Sequence, residues 1–241
     1  MIDPARSFDR AAEAYEAARP SYPDALLALL PLGPDATVLD LGAGTGKLTR
    51  VLARRYDRVL AVEPLDGMRA ILERVVPEAE AFAGSAEEIP LPDGAVDGVF
   101  AAQAFHWFAT DDAVAEIARV LRPGGIFADV WNETEEPSPL PEAYQSRVGQ
   151  LFAETPVVGT HDERRIEVVR RGPFGEPQLR TVQHEQVKDR ESTLALQTSV
   201  SMIARRPEDE RSALMAELGA LLPEGEYRFT LRASVRWAVR E

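Results

Sequence analysis

The stretch "VLDLGAGTGKL", Val38 to Leu48, decides how the rest of the chain is read. It opens as a buried-strand pattern with one acid, Asp40, and then sets glycines at 42, 44 and 46. Glycine tolerates positive φ and lets backbone approach a ligand with no Cβ in the way. A glycine-rich turn from strand to helix therefore predicts a ligand loop at the carboxyl end of a parallel strand. The dinucleotide pattern G-x-G-x-x-G would need its third glycine at position 47, where this chain has Lys47. Asp40, just before the loop, would also repel a pyrophosphate.

The flanking sequence alternates strand and helix. "ATVLDL" and "RVLAVE" read as strands with the helical "TGKLTRVLARR" between them, and "LDGMRAILERV" is helical. "AEAFAG" and "VDGVFAAQ" are the third and fourth strands. "TDDAVAEIARVLR" is a helix capped by Thr110 or Asp111 and closed by "PGG", and "IFADVW" is the fifth strand. This succession predicts right-handed crossovers and a parallel sheet covered on both faces. Upstream, the first twenty residues read as helix as far as "ARPSYP", and "DALLALLP" as a short one.

After Trp131 the rhythm breaks. "NETEEPSPLPEAY" predicts a loop before a helix near 141–154, and 156–177 shows little periodicity. "QLRTVQHEQVKD" reads as a strand, 191–203 and 207–222 as helices, and "YRFTLRASVRWAV" as the last strand.

A ligand that is cationic and free of phosphate suits D-x-G-x-G-x-G. S-adenosylmethionine (SAM), a sulfonium with an amino-acid tail, has those properties. Glu63 ends the second strand, 17 residues beyond Gly46, where an acid can accept hydrogen bonds from both ribose hydroxyls. The plainer alternatives are a tight turn and an exposed strand-end acid.

Composition narrows the function classes. The 241 residues are 45% hydrophobic and 28% charged, so one elaborated domain with a sizeable core is expected. Forty acids against 27 bases give a net charge of −13, which argues against nucleic acid and against an anionic membrane surface. There is no cysteine, so disulfides and thiolate metal sites are excluded. No apolar leader or spanning run is seen, and a cytoplasmic protein is expected.

Four segments, "VLDLGAGTGKLT", "AVEPLDGM", "GSAEEIPLPDGAVDGVFAAQAFHWF" and "RVLRPGG", together cover most of 36–132. With the N-terminal "FDRAAEAYEAARPSYP", they make the chain resemble class I SAM-dependent methyltransferases of the type 11 group, in particular the trans-aconitate-methyltransferase-like small-molecule branch. The resemblance implies an α/β, Rossmann-like sandwich: a mostly parallel seven-stranded sheet, helices on both faces and a helical cap. It implies one domain over 1–241, with an N-terminal cap (1–35), a SAM-binding core (36–132) and a C-terminal completion carrying cap insertions (133–241). SAM is the implied cofactor, S-adenosylhomocysteine the product, and a small molecule the methyl acceptor. A monomer or homodimer is expected.

The same resemblance assigns site residues. Asp40, Gly42, Ala43, Gly44, Thr45 and Gly46 face the methionine part, Glu63 and Pro64 the ribose, and Leu65 and Met68 one side of the adenine. Ser85, Ala86 and Glu87 reach the adenine edge, although Ser85 with Glu88 also fits a helix capping box. Gln103 approaches the methionine tail, while Phe105, His106 and Trp107 line the passage to the acceptor. His106 is the candidate base, with a bracing role as the alternative. Tyr15 and Arg19 are expected over the cofactor, Arg19 on its carboxylate, and Tyr22 is an alternative to Tyr15. Ala101 to Ala104 contains no Asp/Asn-Pro-Pro-aromatic turn of the kind used on amide or nucleobase nitrogens.

Acceptor choice is expected in the N-terminal helix, 133–177 and 191–222, which carry Tyr144, Phe152, Phe174, Met202 and the pairs Arg164/Arg165 and Arg205/Arg206. Each arginine pair reads as a solvated helix face. His161 and His184 have no spaced partners, so no metal site is expected. Two other readings are a SAM-binding protein without transferase activity and, on weaker grounds, a nicotinamide-dependent oxidoreductase.

Overall fold

A computed structural model describes residues 12–153, 162–198, 203 and 206–241. His161, Met202 and Arg205 lie outside the described residues. The chain divides into two compact units. The larger comprises Ser21–Glu133, Thr160–Val182 and Arg232–Glu241. The smaller comprises Met1–Pro20, Thr134–Gly159 and Gln183–Leu231.

Seven strands form one sheet: β1 (Thr37–Leu41), β2 (Arg58–Val62), β3 (Glu80–Phe82), β4 (Val96–Ala102), β5 (Leu121–Thr134), β6 (Gln178–Asp189) and β7 (Glu226–Val239). Their order is β3-β2-β1-β4-β5-β7-β6. β1 to β5 pair in parallel, with Asp40 beside Ala61 on β2 and Phe100 on β4. β7 is antiparallel to β5, since Gly124 and Gly125 bond Arg240 while Glu135 bonds Thr230. The expected mostly parallel seven-stranded sheet is observed. Its strand order reverses at β1 and β4, the place where open α/β sheets hold ligands.

In the larger unit, strand side chains alternate between two cores. Val38 on β1, Phe100 on β4 and Ala128 on β5 pack with Leu26, Leu27, Val51 and Leu52. The last four come from α2 (Asp24–Leu27) and α3 (Thr49–Ala53). Leu39, Val99 and Phe127 face the other way, toward α5 (Asp111–Val120) and α7 (Asp162–Arg171). α4 (Asp66–Val75) connects β2 to β3, burying Met68, Ile71 and Leu72. Thr110 caps α5, its hydroxyl accepting from Ala113 N–H at 3.2 Å.

Three elements differ from the sequence reading, one of them β5, which starts at Leu121 and takes up the "PGG" expected to close α5. The helix expected from Thr45 begins only at Thr49, because three positive-φ glycines hold the preceding turn out of helical geometry. α7 lies where little periodicity was read. Its buried positions 165, 168 and 169 have helical spacing, but the first is an arginine, so the apolar stripe is invisible in the sequence.

The smaller unit holds α1 (Ala12–Ala18), α6 (Glu142–Ala153), α8 (Arg190–Thr198) and α9 (Glu208–Leu221) among its described residues. Tyr144, Leu151, Leu214, Leu218 and Phe229 form its core. Arg147 bonds Glu217 between α6 and α9 at 2.6 Å. Arg190 donates to the carbonyls of Gly219 and Leu222 at 2.7 Å each, satisfying the open end of α9.

Candidate active site at the strand ends

The loop after β1 is held by backbone. Gly42 and Ala43 N–H donate to the Val62 carbonyl at the end of β2, at 2.9 and 3.1 Å. Gly42, Gly44 and Gly46 have φ of 71°, 57° and 87°. A Cβ on Gly42 would lie 2.9 Å from Ala104 Cβ, so this glycine serves packing. At Gly44 nothing stands within 4 Å of the same position. There the backbone is bare toward open space, as a ligand loop requires.

Glu63 is buried, with only 5% of its surface exposed. Its Oε2 accepts from Gly44 N–H at 2.8 Å and its Oε1 from Leu65 N–H at 2.9 Å. Glu63 thus fixes the bare part of the loop to the end of β2. Pro64 is exposed, Leu65 half-buried and Met68 buried.

Asp40 sits beneath the loop and is fully buried. Thr49 Oγ1, at the start of α3, donates to its Oδ2 at 2.6 Å. Oδ1 has no hydrogen-bond partner among the described residues. Burial pushes this carboxyl up to about 7; the Thr49 hydrogen bond opposes the rise and the nearby Glu63 adds to it. Ala43 and Thr45 are also buried.

After β3 no helix starts at Ser85, so the capping-box alternative is corrected. Ser85 is half-buried, Ala86 buried and Glu87 exposed. The downstream chain is pinned to α5 instead: Glu116 accepts from Ile89 N–H, and Arg119 donates to the carbonyls of Ile89 and Leu91. No local signal marks this pair, whose partners lie 27 to 30 residues away.

β4 ends at Ala102 and is followed by Gln103, a non-glycine residue with φ 49°. Its N–H donates to Val130 O at 2.8 Å and its Nε2 to Asn132 O at 2.6 Å, which secures the unusual backbone. A 3-10 turn, Phe105–Trp107, follows. Phe105 is buried in the core, so it supports the site from below and does not line it. His106 Nδ1 is buried with no hydrogen-bond partner among the described residues. Burial, aided by the Arg165 charge, lowers this imidazole to about 4. The His106 ring lies 4.7 Å from Trp107 and 5.3 Å from Trp131.

Arg165 corrects the reading of its pair as a solvated face. It is 4% exposed and bonds Asp129 Oδ2 through one NH group at 2.6 Å. Arg164 is exposed as expected. The sequence reading does not single out Asp129 or Trp131 and names Arg165 only among the arginines of the acceptor regions; the one signal for the strand pair is an acid inside the apolar run "IFADVW". Tyr15 and Arg19 belong to the smaller unit, where the guanidinium lies 5.1 Å from the tyrosine ring centre. Among the described residues no group of three His, Asp or Glu could hold a metal ion, and no helix is long and apolar enough to cross a membrane.

A glycine loop, a strand-end acid and this strand order define a Rossmann-like ligand site. The family described as "Methyltransferase domain" matches residues 39–128. An uncharacterized methyltransferase of Mycobacterium tuberculosis is 50% identical over 135 residues, 56% of this chain and 55% of the relative. The match thus spans little more than half the length of that relative. An uncharacterized methyltransferase-like protein of Schizosaccharomyces pombe is 34% identical over 209 residues, 85% of this chain and 81% of that one. A solved structure from Anaeromyxobacter dehalogenans, described as a type II methyltransferase, is 30% identical with TM-score 0.67, covering 92% of this chain and 97% of that one. The chain belongs to the class I SAM-dependent methyltransferases.

Proposed function

We propose that this chain moves a methyl group from SAM to a small-molecule acceptor by in-line displacement. The observation that carries the reading is the bare Gly44 backbone bonded to Glu63, with the orphaned Oδ1 of Asp40 buried beneath the same loop. SAM supplies a methyl carbon already activated by its sulfonium sulfur. The residues present fit such a ligand. Gly42 to Gly46 offer a close backbone surface, Glu63 a hydrogen-bond acceptor for a diol, and Asp40 a carboxyl able to face a cation.

Below about pH 7 Asp40 holds a proton on its carboxyl, and above it the group is an anion. Ser85, Ala86 and Glu87 with Met68 are the proposed adenine side, Gln103 the proposed contact of the methionine tail, and His106 and Trp107 the passage between cofactor and acceptor. His106 is neutral at physiological pH, and a conjugate acid near 4 makes it a weak base. Its proposed role is therefore to brace the site. The acceptor nucleophile arrives ionised or loses its proton to another base. Orientation then carries the rate, and aligned reactants reach effective molarities of roughly 10⁵–10⁸ M. The roles of Tyr15 and Arg19 rest on the resemblance alone. A cytoplasmic location is proposed on composition, and a monomer or homodimer on the resemblance.

The test is calorimetric binding of SAM and S-adenosylhomocysteine to wild type, Glu63→Ala and Gly44→Val, with NADH as control. Binding by wild type that both substitutions weaken supports the site. No binding by the folded wild type would sink the reading. Methyl-labelled SAM with a small-metabolite extract then separates a transferase from a binding protein that passes no methyl.

A further inference from the structure

α7 carries an arginine where the packing of its inner face calls for an apolar residue. The helix turns Arg165, Val168 and Val169 inward at i, i+3 and i+4. The two valines join the core, whereas Arg165 reaches Asp129 on β5, with side chains 5% and 7% exposed. A buried ion pair is a weak stability device, since apolar residues of similar volume are often as good or better. Its placement is therefore the more informative fact.

The Arg165 guanidinium lies 4.5 Å from the centre of the Trp131 ring. Trp131 in turn meets His106 edge-on, with ring centres 5.3 Å apart at 80°. Asp129 and Trp131 are two residues apart on one strand and so share a face. The series Asp129, Arg165, Trp131, His106 then reaches Trp107, which is 43% exposed. It starts in the core and ends at the surface beside the proposed acceptor side.

We propose that Arg165, locked by Asp129, is a positioning residue: it clamps Trp131 edge-on to His106 and fixes the aromatic wall of the acceptor side. The proposal rests on the methyltransferase reading above. A planar guanidinium can stack on an indole while donating in its plane to a carboxylate, and a lysine ammonium cannot do both. Arg236 on β7 lines a small cavity together with Arg165 and Asp129. The Arg165 cation also disfavours a second positive charge on His106, so the wall stays uncharged. It aligns an acceptor without deprotonating it.

The test uses the full chain with labelled histidine and tryptophan rings, whose three histidines keep the spectrum assignable. Wild type is compared with Arg165→Lys, Arg165→Met and the double variant Asp129→Leu with Arg165→Met, which removes both charges together should the single change not fold. Through-space contacts between the His106 and Trp131 rings are expected in wild type and should weaken several-fold in all three variants. His106 should titrate upward of wild type in Arg165→Met and stay low in Arg165→Lys, which keeps a cation. S-adenosylhomocysteine affinity should be unchanged throughout. Ring contacts and a His106 titration that both persist in folded Arg165→Met, or in the double variant, would overturn the clamp. Absence of S-adenosylhomocysteine binding in wild type would defeat the methyltransferase reading and leave the ring contacts as measured, so the two failures are distinct.

Discussion

Asp40, buried under the glycine loop, and His106, half-buried after β4, are both titratable groups at the strand ends, yet their surroundings are built differently. Asp40 lies among backbone, the Thr49 hydroxyl and the nearby Glu63 carboxylate, all within ten residues along the chain or one crossover away. His106 lies among side chains from β5 and α7. Burial strips charge from each in opposite senses, lifting the acid to about 7 and lowering the imidazole to about 4. One region keeps a carboxyl that a cationic ligand can ionise. The other keeps a neutral ring that can shape a pocket.

The largest effect expected is on the backbone-built side. Glu63→Ala removes the carboxylate proposed to accept from both ribose hydroxyls, and hydrogen bonds to a charged group contribute about 1.5–3 kcal/mol each. S-adenosylhomocysteine affinity should fall at least about a hundredfold, by the rule that roughly 1.4 kcal/mol is tenfold. An unchanged dissociation constant would break the assignment of this side to the cofactor.

Asp40→Asn comes next, and its sign depends on pH. A raised acid gives stability that is full below its ordinary 3.8 and is lost as pH rises to about 7. The lost amount is on the order of 4 kcal/mol, because moving a pKa by one pH unit is worth about 1.4 kcal/mol. Urea melts at pH 8 should therefore show the amide variant more stable than wild type by a few kcal/mol. S-adenosylhomocysteine, which carries an ammonium, should bind wild type more tightly as pH rises toward 7, and Asp40→Asn should lack that slope. Equal stabilities at pH 8 would mean that Asp40 is solvated.

His106→Gln is the mirror case. A lowered imidazole gives stability that is present above its ordinary 6.5 and lost as pH falls to about 4. Wild type therefore has two opposed slopes between pH 4 and 6.5. Removing His106 should make stability rise on acidification relative to wild type, and removing Asp40 should make it fall. Parallel curves for the two variants would refute the comparison. The smallest change is the control Arg164→Ala, an exposed neighbour of the clamp, which should shift the melt by under about 0.5 kcal/mol.

Most of the sheet and the geometry of the glycine loop were legible in the sequence. Strand alternation, the Thr110 cap and the Gly42–Gly46 loop are local patterns, and Glu63 lies one crossover further on. The arginine pair on α7 was read as solvated because exposed and buried arginines have the same letter, and only the partner Asp129, 36 residues earlier, separates them. The helix itself escaped notice for the same reason.

By itself the sequence determined the parallel core, the bare loop and the acid at its foot, because backbone geometry is set by near neighbours. Only the tertiary structure decided which charges are buried and which rings meet. Those depend on packing between β5, α7 and the turn after β4, which lie far apart in the chain, and desolvation exists only once they are brought together.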